Sequence, residues 1–278
     1  MTVTDLRVSS LGGVFGAEVT NLNLADGFED VLIDRLTSLV YEHKVLCLRD
    51  QPLMPQQLAA FGKAVGHPIE HVEENLRLGE DSTIMSLSNV DGRDARQRNG
   101  GAFWHTDLIF TEEPASLTML NAVVVPLDGG PTRFADQAAA YDALDERRQR
   151  LLEDRMVHHC YEGRRDDSMP VVKHPLVRKH PVTDRKALYG VAGTCLDIIG
   201  LSSHDSAKLL KELELHATSP QFVYTHYYRP NDLIIWDNAA TLHCGPTLEE
   251  AAGDAAEEAR VMHRCSVRGW RKPAEYST

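Results

Sequence analysis

From residue 116 onward the chain is a succession of short apolar runs separated by Gly, Pro and Asn, and this rhythm constrains the fold more than any other feature. Runs at 116–125, 132–134, 156–161, 175–178, 187–191, 222–227, 232–236 and 261–267 are predicted strands. Strands this short bury their apolar faces by closing on themselves or stacking as two sheets. The spacing therefore predicts a mainly β architecture with flanking helices, such as a jelly roll. Helical spacing falls at 29–41, 55–65, 138–152 and 205–216, and Pro55 sits where a first helical turn tolerates proline. Before residue 116, a hairpin is expected around Gly12-Gly13, with strands at 45–49 and 83–87.

At 278 residues the chain can bury one substantial core, and no shift in composition divides it. A single domain over 1–278 is expected, with its core at about 14–269. Charged and Gly-rich text over about 90–102 predicts an exposed lid, and the Ala- and Glu-rich stretch 249–258 a surface insertion. A formal charge of −12 with scattered Lys and Arg excludes a nucleic-acid backbone as partner. No apolar run approaches the roughly 20 residues that span a bilayer, and the start lacks a signal-peptide pattern, so a cytoplasmic protein without membrane contact is expected. The five cysteines form no CxxC pair and predict neither disulfides nor a zinc site.

Chemistry concentrates at Trp104-His105-Thr106-Asp107 and, much later, Trp236-Asp237-Asn238 followed by His243. On a strand, alternate side chains share a face, so His105 and Asp107 are expected to point the same way, with His243 contributed by a facing strand. Two imidazoles and one carboxylate form the ligand set of a mononuclear non-haem iron(II) site with open positions; a structural zinc site normally closes with four protein ligands. With 13 histidines present, a lone His-x-Asp is weak evidence, and the adjacent pair His158-His159 cannot direct both rings at one metal. His71, His174, His180, His204, His216 and His226 lack ligand-like context. Arg260 offers a planar fork for the far carboxylate of a keto acid, and Thr132 a hydroxyl donor to the same group. Taken singly, such an Arg is more often a surface ion-pair partner and such a Thr a strand former.

The chain resembles the TauD/TfdA family of iron(II)- and 2-oxoglutarate-dependent dioxygenases. The residues that carry the resemblance are Trp104-His105-Thr106-Asp107, Gly129-Gly130-Pro131-Thr132, Ala139-Ala140-Tyr141-Asp142-Ala143-Leu144, His174-Pro175-Leu176-Val177-Arg178, Arg185-Lys186-Ala187-Leu188-Tyr189, Trp236-Asp237-Asn238 with His243, and Arg260-Val261-Met262-His263-Arg264. They run in order from Val14 to about Gly269. The resemblance implies a double-stranded β-helix (jelly roll, cupin-like), Fe(II) on His105, Asp107 and His243, 2-oxoglutarate on Thr132 and Arg260, and O2 as oxidant. It also implies His67 and Arg264 at the anionic group of a small-molecule substrate, with Glu70 and Thr194 as further substrate contacts. Glu70 stands where the taurine branch carries Tyr, and Thr194 where it carries Phe. Ser88-Asn89-Val90-Asp91-Gly92 and the run Met119 to Pro126 lie closer to the aryloxyalkanoate branch, and Ala239 replaces an arginine usual in both. The expected reaction is hydroxylation of an unactivated C–H bond of an aryloxyalkanoate, a sulfonate or an amino-acid-like compound, with release of succinate and CO2. Alternatives are a desaturase or cyclising oxygenase on the same site, or a non-catalytic metal-binding sensor. The oligomeric state is open, a homodimer or homotetramer included.

Overall fold

The computed structural model describes residues 6–70, 74–78, 81–90, 92, 94–161, 170–249 and 257–273. The first third runs β1 (Arg7–Ser10), β2 (Ala17–Thr20), α1 (Asp30–His43), β3 (Val45–Leu48), α2 (Pro55–Val65), β4 (His67–Pro68), β5 (Arg77–Leu78), β6 (Asp81–Ser88) and α3 (Ala95–Arg98). The middle runs β7 (Leu117–Val124), β8 (Thr132–Asp136), α4 (Gln137–Asp142), α5 (Glu146–Glu153), β9 (Met156–His159), β10 (Val172–Pro175), β11 (Val177–Lys179) and β12 (Lys186–Leu188). The chain then forms β13 (Cys195–Ile198), α6 (Ser203–Ala217), β14 (Val223–His226), β15 (Leu233–Asp237), β16 (Thr241–Cys244) and β17 (Val261–Arg268).

A large sheet has the order β1-β2-β3-β15-β7-β17-β6-β5, with β4 pairing β17, and a three-stranded sheet has the order β14-β8-β16. Period-two alternation assigns the two faces of the large sheet. Leu233 and Ile235 of β15, Leu46 and Leu48 of β3, and Leu117 and Met119 of β7 pack with α1 and α2 in one core cluster. Their alternates Ile234, Trp236, Val45, Cys47, Leu120 and Ala122 face the other way and pack against Phe134 and Tyr224 of the small sheet. The jelly-roll interior is this second layer, and the functional residues open into it. A third cluster joins α4, α6 and the strands β9, β11 and β12 behind the small sheet.

Several elements differ from the expectation, the strand predicted over 175–178 being divided between β10 and β11. The helix predicted over 138–152 is two helices, because the Asp145 side chain accepts from the Arg148 N–H and starts α5 anew. The strand predicted over 187–191 ends at Leu188, and Gly190 follows with φ +65°. β13 has no strong sequence signal; it is half-buried and is held by pairing with β9 and by Asp197 Oδ1 against His158 Nδ1 at 2.7 Å. The described part of the expected lid carries α3, capped by Asp94. Residues 250–256 of the expected insertion, and His71, lie outside the described residues. All five cysteines are free.

Candidate metal and co-substrate site

Local backbone at the first motif is not a strand. His105 forms a single antiparallel bridge with His243, its N–H donating to the His243 carbonyl at 2.9 Å and the reverse bond matching it. The chain then turns, with Leu108 in the left-handed region at φ 56°. The tertiary pairing with β16 therefore does the work that strand periodicity was expected to do. His243 belongs to β16, in register with Phe134 of β8, and the two rings stack at 6.3 Å. Leu242 packs outward, so alternation turns His243 inward.

The ligand atoms of His105, Asp107 and His243 lie within 4.8 Å of one another. Nε2 of His105 and of His243 are 3.7 and 3.5 Å from Asp107 Oδ1. Burial, then the neighbouring His243, pushes the His105 pKa down to about 3, so its ring offers a neutral lone pair. Burial alone would raise the Asp107 pKa; the Arg264 guanidinium and the two imidazoles outweigh it and hold the carboxyl well below its usual range. His105 Nδ1 lies 2.7 Å from the Phe103 carbonyl, which orients the ring. Gly193, at φ +76°, passes so close that a Cβ there would sit 3.0 Å from His105 Cβ.

A second set of polar residues fixes Asp107; Asn238 belongs to the motif read from sequence, and Thr118 was not singled out there. Thr118 Oγ1 donates to Asp107 Oδ2 at 2.7 Å, and Asn238 Nδ2 donates to Thr118 Oγ1 at 3.0 Å. Asn238 Oδ1 in turn accepts from the Asp107 N–H and from Trp236 Nε1, each at 3.2 Å. Trp236-Asp237-Asn238 thus serves the ligand shell through Asn238. Thr118 does carry a faint signal, as a hydroxyl in an apolar buried strand. On β17 the i, i+2 pattern brings Met262, Arg264 and Ser266 to one face, with Arg264 Nε donating to Ser266 Oγ at 3.2 Å. Arg264 Nη2 reaches Asp107 Oδ1 at 2.6 Å.

Arg260 and Thr132 border the same cavity, whose volume is about 760 Å³. Arg260 is 4% exposed, and among the described residues no carboxylate lies within ion-pairing distance of it. Its Nε donates to the Gly130 carbonyl at 3.2 Å, and a Cβ at Gly130 would stand 2.9 Å from Arg260 Cδ. Burial lowers the guanidinium pKa below its ordinary value, with Tyr228 and Asp128 opposing the shift. A buried guanidinium so placed can receive an anion.

The four residues expected at a substrate are placed unequally. Arg264 and Thr194 line the cavity, with Phe103, Trp104, Phe110 and Tyr161 giving it aromatic walls. Glu70 is exposed and borders only a narrow recess beside Arg264 and Ser266. His67 lies outside the cavity lining: β4 pairs with the far end of β17, at Val267 and Arg268, which leaves the ring exposed against Gly269. The expectation of His67 at the substrate anion is therefore revised. A second metal-like cluster, Cys47, His226 and Asp232, is a closed network instead. Asp232 Oδ2 already accepts from Arg49 at 2.6 Å and from the Arg229 N–H at 2.8 Å, and His226 Nδ1 lies 2.8 Å from the Tyr224 hydroxyl.

No described helix is long and apolar enough to cross a membrane. A family model, "Taurine catabolism dioxygenase TauD, TfdA family", matches residues 7–266. The chain is 34% identical over 257 residues to an alpha-ketoglutarate-dependent 2,4-dichlorophenoxyacetate dioxygenase of Cupriavidus pinatubonensis, covering 84% of this chain and 89% of that one. It is 28% identical over 285 residues to an alpha-ketoglutarate-dependent sulfate ester dioxygenase of Pseudomonas putida, covering 95% and 90% of the two chains. Among solved structures, AAD-2 in complex with Mn(II) and N-oxalylglycine superposes with a TM-score of 0.84 at 28% identity, covering 96% of this chain and 99% of that one. With the family model spanning nearly the whole chain and the jelly roll reproduced, the chain belongs to the TauD/TfdA dioxygenase family and is an oxidoreductase.

Proposed function

We propose that the protein is an iron(II)- and 2-oxoglutarate-dependent dioxygenase that hydroxylates an unactivated C–H bond of a small anionic substrate with an apolar or aryl body. One observation carries the reading: a His-Asp-His cluster shares its cavity with a buried arginine that has no carboxylate partner among the described residues. The donor set fits a ferrous ion, since two imidazoles, that of His105 neutral, and one ionised carboxylate converge and leave room for further ligands. Iron(II), when bound, supplies the chemistry that sets oxygen against a C–H bond.

The chain's own residues supply position and exclusion of water. Arg260 and Thr132 would take the far carboxylate of 2-oxoglutarate, Arg260 by its guanidinium fork and Thr132 by its hydroxyl proton. Arg264 would take the substrate's anionic group, and Phe103, Trp104, Phe110 and Tyr161 its apolar body, while Thr194 offers a hydroxyl to a polar substituent. The relatives named for 2,4-dichlorophenoxyacetate and for sulfate esters support an anion on a hydrophobic body. Per turnover, one 2-oxoglutarate and one O2 would yield succinate, CO2 and the hydroxylated substrate.

The test loads the protein with iron(II), 2-oxoglutarate and ascorbate and screens aryloxyalkanoates, sulfate esters, sulfonates and amino acids for stimulated succinate release. Stimulation by an apolar anion, abolished in Asp107→Ala, is expected. Absence of 2-oxoglutarate binding in the metal-loaded protein would sink the reading.

A further inference from the structure

We propose that Tyr228 is a positioning residue for the co-substrate: its phenol donates to Thr132 and so turns the Thr132 hydroxyl proton toward the carboxylate that Arg260 receives. The inference rests on the co-substrate reading above and extends it to a residue that lies outside the cavity lining.

Hydrogen-bond polarity carries the argument. Tyr228 Oη donates to Thr132 Oγ1 at 3.0 Å. A threonine hydroxyl has one proton and two lone pairs, so a lone pair taken by Tyr228 leaves the proton to be placed elsewhere. Among the described residues Thr132 Oγ1 donates to no protein acceptor. A carboxylate only accepts. A threonine that gave its proton to the phenol would present lone pairs to that anion and repel it, and a phenol that donates to Thr132, the sense the heavy-atom geometry favours, prevents this.

The same side chain braces the arginine. The Arg260 guanidinium carbon lies 5.6 Å from the centre of the Tyr228 ring, within cation–π range. The Tyr228 N–H donates to the Gly129 carbonyl at 3.0 Å, one residue before the carbonyl that receives Arg260 Nε. His226 packs edge-on to the ring at 4.7 Å and is itself held by Tyr224 and Asp232. Tyr228 is 4% exposed, and burial raises its pKa to about 12, so the phenol keeps its proton at any pH at which the protein works.

Tyr228→Phe is the sharp variant, because it keeps the ring under Arg260 and removes only the hydroxyl. The expected result is a KM for 2-oxoglutarate raised about tenfold with kcat changed less than twofold. Calorimetric titration of N-oxalylglycine into the metal-loaded variant should show the same loss. Thr132→Val should weaken binding as well, and adding Tyr228→Phe to it should cost less than a further twofold, since the phenol acts through the missing hydroxyl. Pyruvate, which lacks the far carboxylate, should bind wild type and Tyr228→Phe equally. Wild-type affinity of Tyr228→Phe for 2-oxoglutarate, losses that multiply in the double variant, or an equal loss for pyruvate would each overturn the proposal while the co-substrate reading stands. Failure of the wild-type protein to bind 2-oxoglutarate or N-oxalylglycine would overturn both.

Discussion

Arg264 Nη2 lies 2.6 Å from Asp107 Oδ1, the same oxygen that both imidazoles approach. A cation bound by the three ligand residues and the Arg264 guanidinium therefore compete for one atom. Without metal, the pair is mostly buried, and removing the arginine leaves a carboxylate without its charge partner, at a cost of about 3 kcal/mol. Arg264→Ala should accordingly lower the melting temperature of the metal-free protein by several degrees, and lower that of the Mn(II)-loaded protein much less. Thermal scans with and without Mn(II) check this; equal losses would show that the two cations do not compete. In turnover the same variant should raise the KM of an anionic substrate about tenfold and leave that of 2-oxoglutarate nearly unchanged.

Thr118 makes the closest hydrogen bond to the other oxygen of Asp107, at 2.7 Å, and links it to Asn238. Partners of this kind orient a ligand, and their loss typically costs 10- to 100-fold in metal affinity. Thr118→Val keeps the volume and the strand preference, so the protein should fold while its Mn(II) dissociation constant rises by roughly that factor. Competition with a fluorescent chelator gives the number directly.

The Arg260 guanidinium stands over a glycine it cannot share with a side chain, since a Cβ at Gly130 would lie 2.9 Å from Arg260 Cδ and φ there is +45°. Gly130→Ala should therefore mimic a weak form of Arg260→Gln. Both are expected to raise the 2-oxoglutarate KM, Arg260→Gln by about 100-fold and Gly130→Ala by less, with substrate KM little altered. Initial rates at varied 2-oxoglutarate decide the matter.

Asn99 ties the segment that carries α3 to the strap that follows His243. Its amide donates to the Leu248 carbonyl at 3.0 Å and accepts from the Leu248 N–H at 2.6 Å, while the Gly245 N–H donates to the Gly101 carbonyl at 2.7 Å. Asn99→Ala should loosen residues 94–102, with amide exchange there at least about tenfold faster and exchange in β7 and β15 unchanged. Mass-spectrometric hydrogen exchange tests this, and uniform acceleration across the chain would contradict it.

His159 is fully buried and neutral, its pKa lowered to about 3 by burial first and by His174 second. In the unfolded chain the ring titrates near 6.5, so below that pH the unfolded state binds a proton that the folded state refuses. Stability is thus full above pH 6.5 and falls as pH drops toward 3. The cost of His159→Gln should shrink by on the order of 2 kcal/mol between pH 7 and pH 4.5, read from urea midpoints at the two pH values. An unchanged gap would mean that the folded state accepts the proton.

The sequence alone carried the jelly-roll class and most of the strands and helices, because alternation is a local property of a chain; its motifs singled out His105, Asp107, His243, Thr132 and Arg260 as candidates, and the family resemblance added Arg264. It misled where a local pattern had a competing local signal, as at Asp145, which divides one predicted helix into two. Only the tertiary structure decided which motif residues meet. His67 is two residues beyond the α2 terminus in sequence, yet its strand pairs with the far end of β17 and carries it away from the cavity. Tyr228 meets Thr132 across 96 positions and Thr118 meets Asp107 across 11, contacts that no local signal encodes. The His105–Asp107 geometry is the clearest case: the ligands converge because a single bridge to β16 and a left-handed turn at Leu108 hold them, where strand periodicity alone had been expected to suffice.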